Sequence, residues 1–248
     1  MNILLTGSTG YIGRRLAALL LDESDVHVRL FVRNRKKVQF VPSEKLEIFE
    51  GNALDQESLF EALSGIDVAY YLIHSMGAKA DYRKLDKSIA TNFREACIRA
   101  GVKRIIYLGG LGVRETASKH LLSRLETGEI LSARPERIQT IFFRAGIIIG
   151  SGSASFEIIR NLVQKLPVMT TPRFVHTRTQ PISVYDVLHY LSSARDLEER
   201  SNLIVDIGSE QMSFKEMLQR TAKLMGLRRL IIPVPVFTPK LSSYWLGS

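Results

Sequence analysis

Cysteine is nearly absent: Cys97 is the only one in 248 residues, so an internal disulfide framework is excluded and a reducing compartment suits the chain. It falls in a helix-like stretch, where a buried, inert thiol is the ordinary outcome. No apolar run approaches the roughly 18 residues of a membrane span. A strand-like run opens at residue 2 and leaves no room for a secretory leader. A cytoplasmic location is the expectation. The five histidines are dispersed and lack the close-spaced ligand pairs of zinc sites, so no metal is expected. Internal repeats and low-complexity segments are also missing.

Charge of one sign is in modest excess, +9, yet long basic runs are absent. The densest stretches are Arg33-Asn-Arg35-Lys36-Lys37 and Leu227-Arg228-Arg229. Without a nucleic-acid motif, the excess reads as solvated surface plus a few anion-binding positions. Nucleic-acid binding would instead announce itself as a steep salt dependence of affinity. A basic chain does suit a phosphorylated ligand. With 45% hydrophobic and 24% charged residues, the composition is that of an ordinary globular protein. The length allows one α/β domain with a full core, or a domain plus a small appendage.

What is present is concentrated at the start. Ile3 to Leu5 reads as a buried strand that breaks into Gly7-x-x-Gly10-x-x-Gly13. Apolar residues then switch to helical spacing at Ile12, Leu16, Leu19 and Leu20. Strand, glycine turn and helix make a dinucleotide-binding unit. The first glycine allows the tight turn, the second lets backbone approach a pyrophosphate, and the third lets helix and strand pack closely. The helix N-terminus offers free N–H groups to the phosphates. Gly7, Ser8, Thr9, Gly10, Tyr11, Ile12 and Gly13 are therefore candidate cofactor residues. The plainer alternative is a glycine turn that only packs an ordinary αβ unit.

Val26 to Val32 alternates as a second strand and is followed by Arg33, Arg35 and Lys36. An acidic residue about 20 positions past the glycines would bond a ribose 2′-hydroxyl. A guanidinium there pairs with a 2′-phosphate instead, so NADP(H) is favoured over NAD(H), with Arg33 as the contact. The alternative is that these cations decorate a solvated turn. Leu46 to Phe49 is a third strand, and Asp55 caps a helix to about Leu63. Asn52, with Ala53 beside it, is placed to meet the adenine edge. Asp67 to Ile73 is a buried fourth strand whose carboxyl end, with Leu72 and His74, falls beside the nicotinamide half. Ser75 to Ala80 is a candidate loop over the site.

A long amphipathic helix is expected over about Asp81 to Ala100, ending at Gly101. Val102 to Leu108 is a fifth strand, Ser118 to Ala133 a helix, and Thr140 to Ile149 a sixth strand. Phe156 to Leu166 follows as a helix, then an irregular stretch over Pro167 to Arg178. Helices at Val184 to Ala194 and Ser213 to Met225 flank a last strand, Leu203 to Ile207. Ser213 and Glu216 form a capping box. Met76, Met169 and Met212 need no role beyond packing. Strands alternating with helices imply a doubly wound parallel sheet of the α/β class.

Thr6-Gly-Ser-Thr-Gly-Tyr-Ile-Gly13, Gly51-Asn-Ala-Leu-Asp55, Ala100-Gly-Val-Lys-Arg-Ile-Ile-Tyr-Leu108, Phe143-Arg-Ala-Gly146 and Gln180-Pro-Ile-Ser-Val-Tyr-Asp186 together resemble a known superfamily. It is that of the extended and atypical short-chain dehydrogenase/reductases, which includes sugar-nucleotide epimerases and NmrA-like redox sensors. The resemblance covers essentially the whole chain. Ser118-Lys-His-Leu-Leu-Ser-Arg124 and Val234 to Trp245 look like a bacterial nucleoside-diphosphate-sugar epimerase-like group, whose members often continue into a further C-terminal domain. A shorter relative and a truncated chain both fit an end just after Trp245. The resemblance implies one Rossmann-like domain over 1–248, with 151–248 contributing most of a small substrate lobe at the carboxyl edge of the sheet.

The chain departs from the superfamily in its catalytic residues. The resemblance implies a Ser after the fifth strand that polarises a carbonyl, and a Tyr-x-x-x-Lys that supplies the proton. Gly109 and Gly110 stand at the serine position, His120 where the Tyr belongs and Arg124 where the Lys belongs. Histidine as a residue type is a competent general acid, so His120 is the candidate proton donor. Arg124, four residues on, shares its helix face and would hold a ribose or a substrate anion. His74, His176 and Arg178 are secondary pocket candidates. Two readings follow: an NADP(H)-dependent oxidoreductase or epimerase-like enzyme of unknown substrate, or a non-catalytic NADP(H)-binding redox sensor or assembly factor. The second would engage a protein partner through the lobe or the Pro233 to Trp245 tail.

Overall fold

The computed structural model describes residues 1–74, 82–171 and 177–233. In chain order the first half runs β1 (Asn2–Thr6), α1 (Tyr11–Leu21), β2 (His27–Val32), β3 (Leu46–Glu50), α2 (Gln56–Leu63), β4 (Val68–Tyr71), α3 (Tyr82–Ala100), β5 (Arg104–Gly110), α4 (Lys119–Leu131) and β6 (Gln139–Ala145). The second half runs β7 (Ile148–Ile149), α5 (Ala154–Lys165), β8 (Val168–Thr171), β9 (Arg178–Thr179), β10 (Ile182–Ser183), α6 (Val184–Ser193), β11 (Leu203–Ile207), β12 (Met212–Ser213), α7 (Phe214–Leu224) and β13 (Leu230–Pro233).

Seven strands pair in the order β11-β6-β5-β4-β1-β2-β3, all parallel. The order reverses between β1 and β4, the switch point at which open α/β sheets receive ligands. Both faces of the sheet are covered, so β4 and β5 are buried at every residue rather than alternating. Leu4, Leu63, Tyr71, Phe93, Ile105 and Phe142 belong to one core cluster of this unit. The fold is the Rossmann type that the alternating pattern implies.

The chain divides into two compact units. The sheet unit comprises Met1–Gly146 and Ile182–Ile207; the other comprises Ile147–Pro181 and Gly208–Ser248. The stretch expected to supply a lobe is thus split, because α6 and β11 return to the sheet unit. The second unit has its own core, with Ile159 and Val163 of α5, Met169 of β8, Met217, Leu218 and Ala222 of α7, and Ile231 of β13.

Local signals place the helices closely. Asp55 Oδ1 accepts the Glu57 and Ser58 N–H groups, Ser118 Oγ accepts from Leu121, and Ser213 and Glu216 close the capping box. The strands differ more. The sixth ends at Ala145, four residues earlier than expected. The fourth ends at Tyr71, because the Thr6 hydroxyl takes over: it donates to Tyr70 O and accepts the Leu72 N–H, each at 2.9 Å. Pro167 to Arg178 is not wholly irregular, since Val168–Thr171 forms β8. Its partner is β13, some sixty residues away, and Leu203–Ile207 is not the last strand. No helix among the described residues is long and apolar enough to cross a membrane.

Candidate functional site

At the end of β1 the backbone turns at Gly7 with φ +70°. A Cβ there would meet the Leu72 carbonyl oxygen at 2.3 Å, and one on Gly13 would meet Gly7 O at 2.2 Å. No side chain fits at either position, so the first turn of α1 lies directly against the end of the strand. Gly10 caps α1 without a side-chain hydrogen bond, and the first turn contains no acidic residue. Its free N–H groups and positive dipole end are therefore open to an anion. Ser8 is 3% exposed, and its hydroxyl has no hydrogen-bond partner. An orphaned donor of this kind costs about 1–3 kcal/mol until something accepts from it. A phosphate would accept, so these residues fit the pyrophosphate of a dinucleotide.

A cavity of about 1050 Å³ opens from this loop. Its wall includes Gly7, Ser8 and Thr9 of the loop, Arg33, Asn34 and Lys37 after β2, Asn52 and Ala53 after β3, and His74 after β4. Tyr11, Ile12 and Gly13 begin α1 behind the loop, and Leu72 supplies the carbonyl beneath Gly7. Arg33 is exposed and makes no hydrogen bond or ion pair among the described residues. Arg35 is committed elsewhere: its guanidinium donates to Ile48 O at 2.5 Å and its N–H to Glu50 Oε2 at 3.0 Å. Asn52 folds its own turn, Oδ1 accepting the Leu54 N–H at 3.1 Å, which leaves its amide NH₂ as the available donor.

The far end of the cavity is lined by the end of β4, with Tyr71, Ile73 and His74, and by α3, with Tyr82 and Asp86; α4 and β5 pack behind these residues. Asp86 is buried on α3 and accepts from Ser123 Oγ of α4 at 2.8 Å. Burial pushes the His74 imidazole down to about 4, with the Arg124 guanidinium adding to the effect, so His74 is neutral at neutral pH. Its Nε2 lies 3.4 Å from Leu108 O, and its ring meets Tyr107 edge-on at 5.7 Å. Tyr107 is buried and donates to Arg124 O at 2.9 Å. Arg124 is half-buried beside Gly110 and makes no hydrogen bond or ion pair among the described residues. His120 is exposed, and its ring stacks on Tyr82 with centroids 5.0 Å apart.

The structure therefore gathers the loop residues, Arg33, Asn52, Ala53 and His74 on one cavity and places His120 and Arg124 on one helix. Gly109 and Gly110 end β5 where a serine is absent. Arg178 is in the second unit, donating to Gln211 O at 3.3 Å. His176, Met76, the Ser75 to Ala80 loop and the tail beyond Pro233 lie outside the described residues. No group of three or more metal-ligating side chains occurs among the described residues. Sequence reasoning missed Lys37, Tyr82 and Asp86. The signal for Asp86 was an acid four residues from Tyr82 on the apolar stripe of α3.

A parallel sheet with this order, a glycine loop at its switch point and a cavity beyond it defines a dinucleotide-binding protein. The family model for NAD(P)H-binding domains matches residues 7–137, and the chain belongs to that family, as an atypical short-chain dehydrogenase/reductase. It is 23% identical over 275 residues to UDP-glucose 4-epimerase of Vibrio cholerae, covering 99% of this chain and 82% of that protein. Photosystem II assembly factor Ycf39 of Synechocystis is 26% identical over 242 residues, covering 95% and 71%. Among solved structures, the Citrobacter triphenylmethane reductase complexed with NADP(H) matches with TM-score 0.76 at 21% identity, covering 94% of this chain and 79% of that one.

Proposed function

We propose that the protein is an NADP(H)-dependent oxidoreductase or epimerase-like enzyme that works without the Ser/Tyr/Lys set. The observation that carries the cofactor choice is Arg33. It stands at the cavity wall with no protein partner among the described residues, and Lys37 stands on the same wall. Glu50 Oε2, by contrast, is engaged by the Arg35 N–H. A 2′-phosphate satisfies two such cations, whereas a bare ribose hydroxyl leaves them unpaired.

In this reading the glycine loop and α1 hold the pyrophosphate, Asn52 and Ala53 the adenine, and Leu72 and His74 flank the nicotinamide. A bound nicotinamide supplies hydride chemistry. The chain's own residues orient it and place charge: His74 offers a neutral imidazole and Arg124 a fixed cation.

The test is titration of cofactor-free protein with NADPH, NADP, NADH and NAD, repeated on Arg33→Asp. NADPH affinity should fall roughly a hundredfold in the variant, because a cation–phosphate pair becomes a repulsion, while NADH affinity changes little. Equal losses for both cofactors would sink the assignment.

A second reading, a non-catalytic NADP(H) sensor or assembly factor acting on a protein partner, is supported by the missing serine and tyrosine and by the likeness to Ycf39. It predicts tight cofactor binding without turnover of any carbonyl compound.

A further inference from the structure

The β8–β13 pair of the second unit is parallel, with Val168 opposite Leu230 and Thr170 opposite Ile232. Alternation turns Met169, Thr171 and Ile231 inward, where they are buried, Met169 and Ile231 in the core that α5 and α7 share. Val168, Leu230 and Ile232 turn the other way and are 47%, 58% and 40% exposed. Parallel strands are ordinarily covered on both faces. This pair keeps an aliphatic outer face open to solvent.

Positive charge gathers at one end of that face. The second unit has ten Lys and Arg against three Asp and Glu, so it carries most of the net +9 of the chain. Both strands run the same way, so Lys165, just before β8, and Arg228, just before β13, come to the same end. Lys223 is in the last turn of α7, which leads into β13 through five residues, and its neighbour Leu224 is 89% exposed. The side chains of Lys165, Lys223 and Arg228 make no hydrogen bond or ion pair among the described residues. The acids of the unit are engaged elsewhere: Glu157 accepts from Arg160, Glu210 faces Arg220 at 3.6 Å, and Glu216 closes the cap of α7.

We propose that this face of the second unit docks on an anionic lipid surface. Val168, Leu230 and Ile232 enter the interface, and Lys165, Lys223 and Arg228 pair with lipid phosphates. The two features together call for a partner that is apolar and anionic at once. A bilayer interface offers acyl chain and phosphate side by side, and affinity for it grows with buried apolar area and with each cation. A nucleic acid would answer the cations but leave the aliphatic face in water, and none of these residues is an aromatic on which a base could stack. The proposal is independent of which dinucleotide the sheet unit binds and of whether it turns one over.

The test is co-sedimentation of the full chain with vesicles of phosphatidylcholine alone and of an equal mixture of phosphatidylcholine and phosphatidylglycerol, with melting temperature measured in parallel. Wild type should bind the mixed vesicles, and the neutral ones at least about tenfold more weakly. Lys165→Gln, Lys223→Gln and Arg228→Gln combined should lower mixed-vesicle affinity about a hundredfold, since each cation at such a surface is worth about fivefold. Leu230→Ser with Ile232→Ser should lower it about tenfold. Arg137→Gln, at an exposed position of the sheet unit, should change nothing. The triple variant alters only exposed side chains, so it decides the matter even where the serine pair lowers the melting temperature. Equal binding by wild type and triple variant would overturn the proposal. So would a wild type that sediments with neither vesicle, and a dimer dissociated by the serine pair would then give the face to a second copy of the chain. Full binding by a folded serine pair, or tighter binding to duplex DNA than to the mixed vesicles, would replace the lipid with a dissolved polyanion.

Discussion

Ser123 Oγ donates to Asp86 Oδ2 at 2.8 Å, and both residues are buried, 4% and 6% exposed. This bond ties α4 to α3 at the far end of the cavity and places a carboxylate within electrostatic reach of His74. A buried carboxylate keeps its charge only where donors meet it. Asp86→Leu should therefore cost stability through the stranded Ser123 hydroxyl and lost local charge balance, and Ser123→Ala through the loss of one donor to the carboxylate. In a denaturant double-mutant cycle the pair should show a coupling of about 1–3 kcal/mol. Additive losses would mean that the two side chains act independently.

The basic stretch after β2 separates into roles that its sequence does not reveal. Asn34 Oδ1 accepts the Lys36 N–H, and the one-turn helix Arg35–Lys37 that follows brings Lys37 onto the cavity wall beside Arg33. Lys37→Ala should weaken NADPH binding about tenfold while leaving NADH binding unchanged. Arg35→Ala should instead lower the melting temperature, since it loses the Ile48 carbonyl contact, and leave the NADPH-to-NADH ratio alone. The reverse pattern in calorimetry would move the phosphate site to Arg35.

What was legible follows from range along the chain. The glycine loop, the Asp55 and Ser213 caps and the strand alternation each involve residues within a turn or a strand, so their chemistry is written locally. The β8–β13 pair was not, because neither strand carries a signal until the other is found. Tyr82 was hidden for a different reason: an aromatic on the apolar stripe of α3 reads as core, and only its stack on His120 from another helix gives it a place in the site. Arg33 was visible as a cation after β2, but its lack of a protein partner and the commitment of Arg35 are facts of packing.

His74 gives the protein a specific acid sensitivity. Its folded value of about 4 lies below the ordinary 6.5, burial being the main cause and Arg124 the next. Between these values the unfolded chain binds a proton that the folded chain does not, so stability is full above pH ~6.5 and falls as pH drops toward ~4. His74→Gln should remove a loss on the order of 2 kcal/mol over that window, read as the wild-type minus variant difference in urea unfolding. Parallel stability curves from pH 7 to pH 4 would show that His74 charges freely in the fold.

Cys97 is fully buried, and its thiol is pushed well above the usual range by that burial. Only the thiolate reacts, so the native protein should resist Ellman's reagent and react at full stoichiometry once unfolded. Fast labelling of the native state would place Cys97 on a mobile part of α3.

Arg104 holds the sheet unit closed at the opposite end of β5 from the site. Its Nη1 donates to Ala194 O at 2.7 Å and Arg195 O at 2.5 Å, its Nη2 to Leu197 O at 2.6 Å and Glu199 O at 3.2 Å, and its Nε to Gln139 Oε1 at 2.6 Å. Four backbone carbonyls that leave α6 are thus met by one planar fork, which a lysine cannot reproduce. Burial lowers its pKa from the arginine value, but it is far too basic to lose its proton. Arg104→Met should strand these carbonyls and cost about 3 kcal/mol, and Arg104→Lys should recover only part of that. NADPH affinity of the folded fraction should be unchanged in both, because the cofactor cavity lies at the carboxyl ends of the strands. Loss of NADPH binding with unaltered stability would show instead that Arg104 communicates with the site along β5.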